Sequence, residues 1–434
     1  MKKTNWIAVL ILSCTTVLNA QEVLSPEKAV ELALKNNYSI LIARNEQLSS
    51  DAQVTRGNAG MLPRVDVAAG ASAQSTNINQ RFSNGLTVAT NGVSNSASNA
   101  SAVLSWTLFD GGKMFLTWDR LKEQKSLNQL QLREQVEQNI AAVLDAYFLV
   151  IRLKQEVRSR QFALDVTEEQ FNLTRKKVEL GSSSRQELLQ VTVDRNTALS
   201  QLKTQQMAYS NAQTSLNQIM GVGLEQAYEF PTDLKSSFTP QLEEIRKQAM
   251  EQNAGLLKAR SNLSLNSLRL REVKAERMPI LKLNTGYNFN RSSSSAGFAL
   301  FNQSNGLNGG LTLSWNLFNG GQLKTRMTQA QFAFENDAIK IRQAETQLNA
   351  SIQIAIRQWQ QASELLKLED ENFISAKENL SLALERVRLG NAGILVVKEA
   401  QRSYEEAINR QSAAALSAKQ AEIDLMQLSG KLIQ

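Results

Sequence analysis

Histidine is absent from these 434 residues, and cysteine occurs once, at Cys14. The first absence removes the commonest general base, the side chain that titrates near neutral pH and the commonest metal ligand. The second excludes an intrachain disulfide and any metal site built from several thiolates. Carboxylates remain, but a carboxylate-based hydrolase needs two of them converging in one pocket, and no such cluster is visible in the chain. The sequence therefore points to no catalytic residue, no metal ligand and no cofactor. A binding, structural or conducting role is left.

The elements that would carry such a role come next. Lys2 and Lys3 precede a mostly apolar run over 6–18, and Leu18-Asn19-Ala20 offers a cleavage point before Gln21. Ile11-Leu12-Ser13-Cys14 is a loose lipobox, which would instead lipidate Cys14. Either reading exports the mature chain. Cleavage takes the net charge from +7 to +5. That excess is spread along the chain with no compact basic patch, so nucleic acid is not an expected partner. No internal stretch reaches the roughly 18–20 apolar residues of a spanning helix. No proline falls in 64–230 or 280–434, so long uninterrupted helices are permitted.

The chain repeats itself. Ser105-Trp106-Thr107-Leu108-Phe109-Asp110-Gly111-Gly112 recurs as Ser314-Trp315-Asn316-Leu317-Phe318-Asn319-Gly320-Gly321, 209 positions later. Val178-Glu179-Leu180-Gly181 recurs as Val387-Arg388-Leu389-Gly390 at the same offset. Upstream of the tryptophan motif the offset is 216, pairing Asn37 with Asn253 and Pro63 with Pro279. The seven-residue difference falls in an Asn/Ser-rich stretch, where variable loops are expected.

One unit reads as a short helix (25–36; 241–252), a second helix (38–60; 254–277), two strands (64–75 and 99–109; 280–291 and 306–317), a very long helix (113–180; 322–389) and a returning helix (183–220; 392–430). The two units span 21–221 and 241–434, joined by a linker over 222–240 and preceded by the export signal, 1–20. The strands alternate with period two: Leu281, Leu283, Tyr287 and Phe289 against Lys282, Asn284, Gly286 and Asn288. One apolar and one polar face fits a barrel between lipid and water, or a half-buried sheet in a soluble sandwich. The polar stretches 75–99 and 292–308 are expected to be mobile extracellular loops. Glycine spacing allows up to 68 residues in each long helix, roughly 100 Å, far beyond a globular helix. The returning helix is too short to flank its partner alone. Together with the helix before the strands it is long enough.

Four lipid-facing strands cannot end in open edges within a bilayer. Two chains would give eight strands and a filled interior, whereas three give twelve and a lumen. The expected architecture is mainly α with a β-barrel portion: a homotrimer forming a 12-stranded barrel and a helical periplasmic tunnel. The rival is a periplasmic coiled-coil structural or adaptor protein with a small sheet and no membrane barrel.

The order of elements resembles the TolC-like outer-membrane efflux proteins over essentially the whole mature chain. The residues that carry the likeness are Ala29-Val30-Glu31-Leu32-Ala33-Leu34-Lys35-Asn36-Asn37, Leu62-Pro63, the Trp-x-Leu-Phe-Asp-Gly-Gly turn and the two Val-x-x-Gly tips. The resemblance implies passive conduction through the outer membrane, energised by an inner-membrane transporter. A periplasmic adaptor would dock at the tips Val178, Leu180, Gly181, Val387, Leu389 and Gly390, where the two glycines also suit simple helix C-caps. Glu187 and Glu399 correspond to acidic aperture positions, where three carboxylates would attract cations; exposed helix carboxylates are the plainer reading. Val396 replaces an acidic gate residue, Val387 an aromatic one and Ala392 a basic one, so the family's salt-bridge lock is not carried over. Trp106, Tyr287 and Trp315 lie on the lipid-facing parity and read as membrane-interface aromatics. The tryptophans could equally pack where barrel meets tunnel.

Overall fold

A computed structural model describes residues 23–231, 240–297, 299–389, 391 and 393–432. The export signal, Cys14, Gly390 and Ala392 lie outside the described residues. The elements run α1 (Pro26–Asn36), α2 (Tyr38–Gln53), β1 (Arg64–Arg81), β2 (Thr87–Phe109), α3 (Lys113–Glu179), α4 (Arg185–Met220), then α5 (Leu242–Gln252), α6 (Ala254–Ala275), β3 (Ile280–Ser294), β4 (Phe301–Ser314), α7 (Gln322–Arg388) and α8 (Ile394–Ser429). The same six-element order thus occurs twice, mainly helical with an antiparallel sheet. The chain divides into two compact units.

Unit 1 contains Met1–Leu41, Val136–Ile245 and Ile352–Gln434. Ser25 caps α1 through its Oγ, which accepts from the Lys28 amide at 3.2 Å, and Pro26 opens the first turn. Ala29 and Ala33, one turn apart, pack with Val143, Tyr147, Val150, Ile151, Leu216 and Met220. The first part of the linker joins this core: Leu24 N donates to Glu229 O, and Phe230 is buried. The Tyr147 hydroxyl donates to Leu24 O at 2.7 Å, and Lys154 Nζ to Phe230 O at 2.7 Å. Further along α3, Leu164 packs on Ala198 and Leu202 of α4, and Val166 packs with Leu380 and Ala383 of α7 and Val397 and Ala400 of α8. Four helices therefore share small, apolar contacts that allow close approach.

Unit 2 contains Ile42–Gln135 and Arg246–Ser351. Its sheet is an antiparallel meander, β1-β2-β3-β4, with β1 and β4 at the edges. The first hairpin pairs Arg64 with Ser105 and the second Ile280 with Ser314, so both ladders obey the offsets of 216 and 209. In this unit α2 and α6 flank the beginning of α3, through Asp51–Lys125, Glu272–Arg120 and Lys258–Glu134 ion pairs.

Several expected boundaries change. The helix expected over 38–60 ends at Gln53. Val54 and Thr55 are β-branched and resist the helical rotamer set, and Thr55 Oγ1 starts a new turn by accepting from Asn58 N at 3.1 Å. The expected loop 75–99 is mostly paired strand; the connection shrinks to 82–86, closed by Phe82 N to Leu86 O at 2.8 Å. The loop expected over 292–308 shrinks likewise to 295–300. Ladder pairing uses only backbone groups, so a Ser/Asn/Thr-rich stretch continues a hairpin with no apolar face of its own. The last strand, expected to reach 317, stops at Ser314. Trp315 turns out of the ladder, its indole N–H donating to Arg277 O at 2.9 Å.

Candidate functional site

The strand register decides what the sheet can face. Val67 stands opposite Ala102, Ala102 opposite Tyr287, and Tyr287 opposite Leu307. The neighbouring rows are Val65, Leu104, Thr285 and Gly309, then Ala69, Ala100, Phe289 and Asn305. Cross-strand partners share a face, so the apolar residues of all four strands align on one side. The other side carries rows such as Ala68, Ser101, Asn288 and Gly306. From Leu281 to Phe289 the apolar band is about 26 Å along the strand, close to the shortest length with which a tilted barrel strand crosses a bilayer. Tyr287 lies two residues from the Phe289 end of this band and is exposed; its hydroxyl accepts from Asn305 Nδ2 at 2.8 Å. Both tryptophans lie at the end nearest the helices, each bound to the backbone segment that enters a strand: Trp106 to Met61 O at 3.0 Å, Trp315 to Arg277 O at 2.9 Å. Met61 and Arg277 are themselves related by the 216 offset, so this is one interaction made twice.

At the opposite end of α3, the first tip is built by backbone chemistry. Gly181 adopts φ 72°, Ser182 N donates to Lys177 O at 2.8 Å and Gly181 N to Val178 O at 3.0 Å. This Schellman pair satisfies carbonyls that the helix end would leave open. Val178 is half-buried and Leu180 fully projecting. Ser184 then caps α4, its side chain accepting from Glu187 N at 3.1 Å, while Ser183 Oγ donates to Glu187 Oε2 at 2.5 Å. Glu187 is thus the third residue of a Ser-x-x-Glu start, where a carboxylate also favours the positive helix end. At the second tip Gly393 supplies no side-chain cap. Val387 packs against the Val166–Val397 cluster, whereas Leu389 is exposed.

Val396 and Glu399 lie three apart, so they share one face of α8. Both are exposed, and the alternate residues Val397 and Ala400 are buried. Among the described residues no hydrogen bond or ion pair joins Glu187 to Glu399. The Lys398 ammonium reaches across to Asp194 of α4, tying the two tip hairpins together. Two further ties follow: Arg160 of α3 to Glu405 of α8 at 2.9 Å, and Tyr404 between Phe162 and Phe373. Periodicity could have placed Asp194 on an inward face, but only the packing pairs it.

A family model for "Outer membrane efflux protein" matches residues 29–222 and 245–431. The chain belongs to the outer membrane efflux protein family. Its relatives include the pyoverdine export outer membrane protein OpmQ of Pseudomonas putida, 22% identical over 94% of this chain and 86% of that protein. Another is the outer membrane protein TolC of Escherichia coli, 22% identical over 74% of this chain and 66% of TolC. The fold is that of the Campylobacter jejuni CmeC outer membrane channel, with a TM-score of 0.77 at 17% identity over 94% of this chain and 85% of CmeC. The Vibrio cholerae outer membrane protein VceC gives 0.71 at 17% identity over 93% of this chain and 96% of VceC. As an outer membrane efflux protein the chain resides in the outer membrane.

Two shifted carboxyl groups of this efflux protein lie away from the tips. Burial, reinforced by the Asp424 charge, pushes Asp145 on α3 up to about 6. One Asp145 oxygen has no hydrogen-bond partner. Burial raises Glu276, but Lys113 and Arg326, each 2.7 Å away, more than offset this and leave it below the usual range. Nothing in these groups forms a pocket with converging acid and base. Among the described residues no group of three metal-ligating side chains occurs either.

Proposed function

We propose that three copies of this chain form an exit duct that passively conducts substrates across the outer membrane. An inner-membrane transporter delivers them through a periplasmic adaptor. The observation that carries this reading is the sheet: one face apolar across all four strands, the other polar, and both edges unpaired. In a bilayer such a sheet is stable only when closed, and twelve strands leave a lumen where eight would not. The helices support the same reading, since α3 and α7 each hold 67 residues, about 100 Å of helix.

In this reading the adaptor docks at the tips, over Val178, Leu180, Gly181, Val387, Leu389 and Gly390. The projecting Leu180 and Leu389 are apolar side chains that the chain itself leaves uncovered. Val396 and Glu399 line the periplasmic aperture from one face of α8. Glu187 stands at the start of α4 and contributes its charge from there. The test is conductance. Purified protein in a planar bilayer opens ion-conducting channels, and native mass spectrometry in detergent gives three chains per particle. A monomer without conductance overturns the proposal.

A further inference from the structure

The four strands carry five charged residues, Arg64, Asp66, Arg81, Lys282 and Arg291, and only one of them is acidic. The ladder sorts them by side, because cross-strand partners share a face. Arg291 stands in the row of Ser98 and Gln303, on the apolar side of the sheet, with its guanidinium 5.2 Å from the centre of the Phe301 ring. Arg81 lies at the far end of β1, beyond the bulge and opposite Thr87. Arg64, Asp66 and Lys282 remain, all on the polar side.

These three sit at the end of the sheet nearest the helices. Arg64 stands opposite Ser105, Asp66 opposite Val103, and Lys282 between Thr107 and Thr312. Arg64 and Asp66 cancel, joined at 2.7 Å. Lys282 is exposed, and among the described residues it has no ion pair. Further along, the polar side is uncharged as far as the bulge. It presents residues such as Asn99, Asn288, Asn290, Ser292, Asn302 and Ser304. One positive charge therefore stands alone at the foot of a neutral, hydrogen-bonding wall.

Duplication fixes where this charge recurs. Asp66 and Lys282 are counterparts under the 216 offset, and their ladder partners Val103 and Thr312 are counterparts under the 209 offset. In a closed ring of three copies, six equivalent positions alternate between Asp66 and Lys282. Twelve strands about 4.8 Å apart and tilted about 40° close into a ring about 24 Å across, so neighbouring positions are about 12 Å apart. Each Asp66 has Arg64 beside it, so the ring keeps the net charge of three lysines. A lysine stem of roughly 6 Å carries each ammonium about halfway to the axis, and at 0.1 M salt its field reaches about 10 Å further.

We propose that Lys282 makes the barrel the anion-favouring section of the duct. Three ammonium groups surround the mouth through which solutes enter the barrel from the tunnel. Small hydrated organic anions, such as carboxylates, sulfonates and phosphate esters, gather there and move on into the uncharged sleeve. The asparagine and serine side chains of the sleeve offer hydrogen bonds without a charge that would hold the solute, which conduction requires. Cations meet no free carboxylate in the barrel, because Arg64 occupies Asp66. This deepens the duct reading and rests on it. Its charge sense is opposite to that of Glu399, which acts at the other end of the duct.

The test uses the full-length protein in planar bilayers, with the reversal potential read under a potassium chloride gradient centred on about 0.1 M. Lys282→Gln should lower the chloride-to-potassium permeability ratio about threefold relative to wild type, and Lys282→Glu should lower it further. Arg64→Gln should act in the same direction, because it frees Asp66 to oppose Lys282. Glu399 is intact in every variant, so the contribution of the aperture is common to all of them. With the gradient centred on about 1 M, where the screening length falls to about 3 Å, the differences should shrink. Native mass spectrometry of the same samples separates the two levels of failure. Conducting three-chain particles whose permeability ratio ignores all three substitutions overturn the lysine ring and leave the duct standing. Single chains without conductance overturn the duct itself.

Discussion

At Glu187 the amide goes to Ser184 and the carboxylate to Ser183, so its first effect is to fix the start of α4. Ser184→Ala should lower stability by about 1 kcal/mol, as N-cap losses do, read from thermal unfolding by circular dichroism. Glu399 has no such duty. Its nearest compensation is Arg402, whose own pKa is raised first by its bond to Glu406 and further by the Glu399 charge. Glu399→Ala should therefore reduce cation over anion preference in planar-bilayer recordings, and unchanged selectivity would remove Glu399 from the aperture. Asp145 offers a pH test. Its folded pKa, about 6, lies above the ordinary value of 3.8, so the folded state binds a proton more readily than the unfolded one. This group destabilises above pH 6, and the penalty fades as pH falls towards 4. Asp145→Asn should raise the melting temperature at pH 7.5 and raise it much less at pH 4.5. The sequence could show Asp145 as one helix carboxylate among many. Its burial depends on α8, more than 270 positions away, and no local pattern reports that.

Among the elements, the helix ends separate two uses of glycine. Gly181 and Gly221 both sit at positive φ, but a Cβ at Gly181 meets open space while one at Gly221 meets Asn36 O at 2.6 Å. Gly181→Ala should cost about 1 kcal/mol of backbone strain, and Gly221→Ala distinctly more because the turn out of α1 must move. Comparative urea unfolding would rank them, and equal effects would refute the packing argument. The caps, the proline at the first helical position and the 209 and 216 offsets were legible because each is local or exactly periodic. The end of α2 at Gln53 was not, since the signal lay in two β-branched residues and one threonine side chain. Nor were the long hairpins, because a ladder forms from backbone groups and polar side chains hide it. The Lys398–Asp194 tie lay beyond reach for a third reason: it is made between helices of different repeats.

For the molecule as a whole, duplication does most of the organising. A chain with one repeat would present two strands and a pair of long helices with every lateral surface open. In the proposed trimer, two repeats close one joint internally and leave one for a neighbour. A Cβ on Gly111 would meet Met278 Cβ at 2.5 Å, whereas one on Gly320 would meet nothing within 4 Å, so loss of the first turn's close packing should damage the chain itself, and loss of the second only the assembly. Gly111→Leu is expected to abolish folded protein in the membrane fraction. Phe318→Glu should leave the helical circular dichroism signal intact while shifting the particle towards single chains in native mass spectrometry. Similar losses of fold for both would contradict the division of labour.

The bulge at 76–78 occurs in only one of the two hairpins, which is in all seven residues longer than the other. Divided between two strands at about 3.4 Å per residue, the excess lengthens that ribbon by roughly 10 Å. Seen from outside the cell, a ring of three chains would then present three raised prongs alternating with three low ones. An antibody or phage fibre that grips the raised ribbons would saturate at three per particle, although the staves beneath them number six.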